Sequence, residues 1–349
     1  MNKYLIRPKA SIKACLKKMS QAGAKCLIVT DKDSTLIGTL SDGDLRKAIM
    51  KEEDINISIE DYFNSNPTYL QKGAYSIERV KDIFLTHGFD LIPIIDEDSK
   101  LADVLTWGDI FDDNRENINK IDIPVVIMAG GKGTRLQPFT EILPKPLMPV
   151  NNKTIIEHII DNFKEKGVDK FFLTINYKSK ILKAFFQELE PSYSLSFIEE
   201  SKPLGTAGSL KLLPKELVEP FFVTNCDILI KADYLDLYKF HKKNKFDITL
   251  VASAKEYLIP YGTCKLNNQG HLSSIEEKPV FDFLVNTGLY VISPEILKLI
   301  PDDELFDMPD LIAAVKKNDK KIGVYPIGDD AWTDIGQWAE YKKALVKLT

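Results

Sequence analysis

A chain of 349 residues is too long for one ordinary small domain and implies two, each able to bury its own core. Apolar residues make up 44% and charged residues 28%, a globular composition. A formal charge of -5 excludes a general nucleic-acid binder, which needs net positive charge to displace counterions from phosphates. The opening MNKYLIRPKASIK has no apolar run behind its basic residues, and no stretch of about 18 apolar residues follows anywhere. Neither a secretory leader nor a membrane span is expected, and the expected location is the cytoplasm. Cys15, Cys26, Cys226 and Cys264 lack the close spacing of metal or redox motifs and read as reduced, mostly buried thiols.

Taken in chain order, the first third repeats itself. Ser11 to Arg46 overlays Ser76 to Phe111 at a constant shift of 65 residues without a gap: Gly23 meets Gly88, Asp31 meets Asp96, and Gly43-Asp44 meets Gly108-Asp109. Each copy predicts a helix (Ile12 to Ala22; Ile77 to His87), a strand (Lys25 to Thr30; Leu91 to Ile95), an Asp-containing turn, a second strand (Thr35 to Leu40; Leu101 to Leu105) and another helix. Neither copy can bury its apolar face alone, so the two should pack together.

LIVTDKDSTLIGTLSDGDLRKAI and LIPIIDEDSKLADVLTWGDIFDD resemble the two halves of a CBS pair. The resemblance implies an α+β module over residues 1–115, with repeats at about 5–55 and 66–115, that binds an adenine nucleotide and takes part in a homo-oligomer. It assigns the ligand's ribose and phosphate to Ser41 and Asp44 in one copy and to Thr106 and Asp109 in the other. The same residue types also serve as ordinary helix caps.

Residues 116–123 are polar and charged and read as a linker, leaving 124–349 as the second domain. It opens with a short apolar run, Val125 to Met128, which predicts a buried parallel strand. The strand runs into Ala129, Gly130, Gly131, Gly133 and Thr134, where backbone can approach phosphate closely. Gly133 is followed by Thr134 and Arg135, which excludes the Walker A pattern, and Leu136 stands where the dinucleotide fingerprint needs its third glycine. A glycine loop with two fixed cations, Arg135 and Lys145, remains. Helix Ile155 to Lys166, strand Lys170 to Ile175, helix Ser179 to Leu189 and strand Leu195 to Glu199 follow, and this alternation predicts a mostly parallel sheet with helices on both faces. After the glycine turn PLGTAGSL, strand Phe221 to Thr224 ends in Asn225-Cys226-Asp227, which puts a carboxylate where open α/β sheets bind ligands.

Residues 130 to 150 satisfy every fixed position of GGxGTRLxPxTxxxxKPLxPV, the signature of enzymes that join a nucleoside triphosphate to a sugar 1-phosphate, and the domain resembles that family. The resemblance implies a Rossmann-like, glycosyltransferase-A-like α/β fold. Ala129, Gly130, Gly131, Gly133, Thr134, Gly205 and Thr206 would bind the nucleotide, and Arg135 and Lys145 would be catalytic. Asp227 and Asp334 would hold Mg2+, while Gly262, Glu277, Lys278, Asn286 and Thr287 would hold the sugar phosphate. Thr206 would also cap the helix that follows it.

The attacking phosphate is already an anion, so the chemistry needs no protein base, only neutralisation and alignment of two anions. PLGTAG is similar to the loop of mannose-1-phosphate guanylyltransferases and points to GTP, with uridylyltransferases carrying near variants. A CBS pair ahead of such a domain is similar to the glucosamine-1-phosphate guanylyltransferases of bacterial legionaminic acid synthesis. No hexapeptide repeat follows, so a single activity is expected. The alternative of another class is a catalytically silent nucleotide sensor.

Overall fold

The computed structural model describes residues 2–52, 54–111 and 123–347. The chain condenses into two compact units. One comprises residues 1–113, 252–285 and 326–330, and the other residues 114–251, 286–325 and 331–349. Residues 116–122 of the expected linker lie outside the described residues. No helix among the described residues is long and apolar enough to cross a membrane.

In the first unit the repeat in the sequence is a repeat in structure, down to its irregularities. Helices Ile12–Ala22 and Ile77–His87 start on the serine caps Ser11 and Ser76 and stop at Gly23 and Gly88, both left-handed with φ near 61° and 65°. Strands Cys26–Thr30 and Leu36–Ser41 form one hairpin, and Leu91–Ile95 and Leu101–Thr106 form the other. The turn of each hairpin is closed by an aspartate: Asp31 Oδ1 accepts the N–H groups of Asp33 and Thr35, and Asp96 Oδ1 those of Asp98 and Lys100.

The copies join reciprocally. Leu36 N–H donates to Ser99 O at 3.0 Å and Leu101 N–H to Ser34 O at 2.9 Å, a pseudo-two-fold pair of bonds related by the same 65-residue shift. Ile28, Leu91, Leu101 and Val104 form a shared core beneath that seam, while each copy keeps its own core around Ile12 and Leu45 or around Val80 and Phe84. The expected mutual burial is therefore realised.

The second unit holds most of a seven-stranded mixed sheet. Strand Val125–Met128 lies inside it and runs parallel to both neighbours, Lys170–Ile175 and Phe221–Asn225, with Ser194–Glu199 parallel at the edge. Beyond Phe221–Asn225 the sheet continues with the antiparallel strand Val280–Ile292, then Ile248–Leu258 and Ile322–Gly328. Strand Val125–Met128 is buried throughout, as its unbroken apolar sequence requires. Helix Ile155–Lys164 covers the sheet with Ile155, Ile156, Ile159, Ile160 and Phe163 and begins at the capping box of Thr154 and Glu157.

His241 is buried in this unit between Thr249 Oγ1 at 2.9 Å and Ser293 Oγ at 3.0 Å. Burial lowers its pKa from 6.5 to about 4. The unfolded chain therefore binds the extra proton first, and the contribution present above pH 6.5 is lost as pH falls toward 4. We expect about 3 kcal/mol of stability to disappear across that window. Urea midpoints at several pH values check this, and His241→Gln should flatten the dependence.

Candidate active site

The loop that leaves strand Val125–Met128 is anchored at both ends. Ala129 N–H donates to Thr174 O at 3.0 Å, and Thr140 Oγ1 donates to Gly133 O at 2.9 Å. Between these anchors Gly131, Lys132, Thr134 and Arg135 are exposed. Gly133 is left-handed, with φ near 65°, and a Cβ there would lie only 3.0 Å from the Cβ of Lys145. Lys145 thus sits against the glycine loop. Pro144 sets the turn that presents it, and Pro146 and Leu147 bury the segment behind it.

Lys145 Nζ forms an ion pair with Asp227 Oδ2, and both side chains are largely buried. Asp227 follows strand Phe221–Asn225, and its carbonyl accepts the Ile335 N–H at 2.7 Å. Strand Ile228–Ile230 pairs with Trp332–Asp334 so that Ile228 faces Asp334, which brings a residue more than a hundred positions away to Asp227. Gly336 measures how closely the three groups meet. A Cβ on it would stand 2.5 Å from Asp227 Oδ2, 2.8 Å from Asp334 Oδ1 and 3.1 Å from Lys145 Nζ.

Burial raises the pKa of Asp334. The Gly336 N–H, 2.7 Å from its Oδ1, opposes that shift, the like charge of Asp227 adds to it, and Lys145 and Arg135 oppose it. The two carboxylates offer a metal oxygen donors only. Cys226, the neighbouring soft ligand, is buried and its thiol is pushed up to about 12, so it stays protonated. Among the described residues no group of three or more His, Cys, Asp or Glu forms a self-sufficient metal cage. This donor set fits a hard ion such as Mg2+, which takes one or two carboxylates and completes its shell with water and phosphate oxygens.

A residue that sequence reasoning missed lies at the same sheet. Glu200 follows the edge strand Ser194–Glu199 and is only 7% exposed. Its Oε2 accepts the Leu204 N–H at 3.0 Å, and its Oε1 would lie 2.6 Å from a Cβ at Gly130. Burial raises its pKa, with the Leu204 N–H acting against the shift. Among the described residues Leu204 N–H is the one donor to this carboxylate. The signal in the sequence was a carboxylate at the C-terminal end of a parallel strand, five residues before Gly205.

Gly205 opens the turn Gly205–Gly208 at φ near 81°. Thr206 does not cap the helix that follows it. Its hydroxyl accepts the Met308 N–H at 2.8 Å and donates to Asp307 Oδ1 at 3.1 Å, so it serves the start of helix Met308–Lys317 instead. Asn286 Nδ2 donates to the Tyr290 hydroxyl at 2.8 Å. Thr287 is buried and donates to Val251 O at 2.9 Å, which engages its hydroxyl within the sheet.

The remaining sugar-side residues belong to the first unit, on an arm formed by 252–285. Strands Thr263–Leu266 and Leu272–Glu276 make a hairpin. Its neck is closed by Ile259 N–H to Pro279 O at 3.0 Å and Lys278 N–H to Tyr261 O at 3.3 Å. Glu277 Oε2 would be 2.8 Å from a Cβ at Gly262, so the two positions face each other, and Lys278 is left-handed and exposed.

Ser41 and Asp44 form a capping box: Asp44 Oδ2 accepts Ser41 N–H at 3.1 Å and its hydroxyl at 2.6 Å. Asp109 Oδ2 likewise accepts the Thr106 N–H at 2.7 Å and hydroxyl at 2.6 Å, and the hydroxyl bond is the main reason its pKa is lowered. The capping role expected of these residue types is thus filled at both positions.

A profile of the "Nucleotidyl transferase" family matches residues 124–349, and one of the "CBS domain" matches 1–51 and 59–114. The chain is 37% identical over 185 residues to the mannose-1-phosphate guanyltransferase of Yarrowia lipolytica, covering 50% of each chain. It is 35% identical over 228 residues to that of Hypocrea jecorina, covering 61% of this chain and 60% of the relative. The match therefore spans about half to three-fifths of those relatives. Among solved structures, HddC from Yersinia pseudotuberculosis superposes with a TM-score of 0.52 at 27% identity, over 65% of this chain and all of that one. The same protein complexed with GMP-PN gives 0.50.

Proposed function

Because the chain belongs to the nucleotidyl transferase family over residues 124–349, we propose that it transfers the nucleoside monophosphate of GTP to a sugar 1-phosphate and releases pyrophosphate. The observation that carries this reading is the convergence of Lys145, Asp227 and Asp334 on Gly336, beside the glycine loop. A phosphate oxygen of the sugar 1-phosphate attacks the α-phosphorus, and the bond from that phosphorus to the bridging oxygen of the pyrophosphate breaks. The loop's N–H groups and Arg135 hold the triphosphate, Lys145 neutralises charge where the phosphates meet, and Glu277 and Lys278 bind the sugar hydroxyls and sugar phosphate. Asp227 and Asp334 would hold Mg2+, which when bound supplies charge neutralisation to the triphosphate.

Glu200 supports guanine. A buried carboxylate with one donor wants more, and the guanine edge offers adjacent N1–H and N2–H groups, whereas adenine and cytosine present no such pair. Relatives named as guanyltransferases and a neighbour solved with GMP-PN agree with that preference. Glu200→Gln should cut kcat/KM for GTP by about 10- to 100-fold, because the amide presents N–H to a guanine donor. Initial rates with all four triphosphates check this.

For the sugar, the CBS-fused arrangement favours glucosamine 1-phosphate, and the named activity of those relatives favours mannose 1-phosphate as the second reading. An adenine nucleotide at the CBS pair and a homo-oligomer complete the proposal. Pyrophosphate release with Mg2+, assayed across four nucleoside triphosphates and glucosamine, N-acetylglucosamine, mannose and glucose 1-phosphates, decides between these sugars. No release from folded protein with any pair would favour a silent sensor.

A further inference from the structure

The arm that carries Gly262, Glu277 and Lys278 has little to hold it up. Every residue of strand Leu272–Glu276 is exposed, as are three of the four in Thr263–Leu266, and a two-stranded hairpin without a packed face is marginal in water. Its stem, Glu256 and Asp282 included, belongs to strands Ile248–Leu258 and Val280–Ile292, which pair with each other, and there it also meets helix Ile12–Ala22 of the first repeat. Lys13 Nζ bonds Glu256 Oε1 at 2.6 Å and also Asp282 Oδ1, and the lysine and Asp282 side chains are only 17% and 12% exposed. Both carboxylates reach one ammonium, so their oxygens lie no farther apart than about two hydrogen bonds. Without the lysine they would repel.

Two further contacts secure the same helix. Ala254 packs against the core of the first repeat around Ile12 and Leu16. Gly328 lies so near that a Cβ on it would be 2.7 Å from Ser20 Cβ and 3.2 Å from Leu16 O. Asp282 is four residues beyond Lys278, or about 13 Å along an extended chain. A change at Lys13 therefore acts on the arm's base and not on the ligand.

We propose that the first CBS repeat braces the sugar-phosphate arm, with Lys13 as a positioning residue for the sugar 1-phosphate. This rests on the assignment of Glu277 and Lys278 to that substrate. In the full chain, Lys13→Ala should raise KM for the sugar 1-phosphate by about three- to tenfold while kcat and KM for GTP stay within about twofold, and Lys13→Arg should restore most of the loss.

Hydrogen exchange of residues 257–284 provides a readout that needs no activity. It should quicken by about tenfold in Lys13→Ala and not in Lys13→Arg. Should the chain prove to catalyse no transfer, the exchange result still decides whether Lys13 braces the arm. Unchanged exchange and unchanged sugar KM in folded Lys13→Ala would overturn the proposal, as would an equal rise in both KM values.

Discussion

Gly336→Ala should cost at least about 100-fold in kcat while the protein stays folded. The added methyl group would stand 2.5 and 2.8 Å from the Asp227 and Asp334 oxygens, closer than carbon tolerates, and 3.1 Å from Lys145 Nζ, so at least one carboxylate must move. A displacement of about 1 Å in a phosphate-aligning group is enough for a loss of that size. The φ of Gly336 is not positive, so the substitution strains no backbone of its own. Stopped-flow or steady-state turnover, with far-UV dichroism and a melting curve as the folding control, checks it. A folded alanine variant at full speed would mean that the three groups do not act at the reacting phosphates.

Asp227→Asn should be larger still, about 1000-fold in kcat or some 4 kcal/mol of transition-state stabilisation. The isosteric amide keeps the shape but removes one of the two carboxylates available to a divalent ion, and it breaks the ion pair with Lys145. Raising the Mg2+ concentration should recover part of the loss. A variant that stays folded, binds GTP and turns over normally would remove Asp227 from the catalytic machinery.

The sequence made the repeat legible because the same 65-residue shift recurs in caps, turns and strands, and local chemistry decides each of these. Ser11 and Ser76, Gly23 and Gly88, and Asp31 and Asp96 do in the structure what their residue types do anywhere. The parallel half of the sheet was legible for a related reason. Unbroken apolar runs such as Val125 to Met128, separated by amphipathic helices, leave few other folds open.

What stayed hidden depends on long-range pairing. Nothing near Thr206 announces that its hydroxyl caps a helix beginning at Met308, because the two meet only once the chain has folded. Glu200 reads as one more acidic residue in Glu199-Glu200 until the fold buries it against Gly130. The joining of residues 252–285 to the first repeat in one compact unit was equally invisible, since Lys13 is a common surface residue type and its partners lie some 240 and 270 positions away. The glycine motifs and Asp227 and Asp334 could be read from sequence; Glu200 is found by burial.

Nucleotidyl transfer is tested most directly by incubating the purified full chain with GTP, Mg2+ and glucosamine 1-phosphate, or mannose 1-phosphate, and following the phosphorus signals by NMR. The sugar phosphate and the α-phosphorus of GTP should become joined in a diphosphate while pyrophosphate accumulates in equal amount. GTP left intact by folded protein with every sugar phosphate offered, or hydrolysis to GDP and inorganic phosphate, would contradict nucleotidyl transfer.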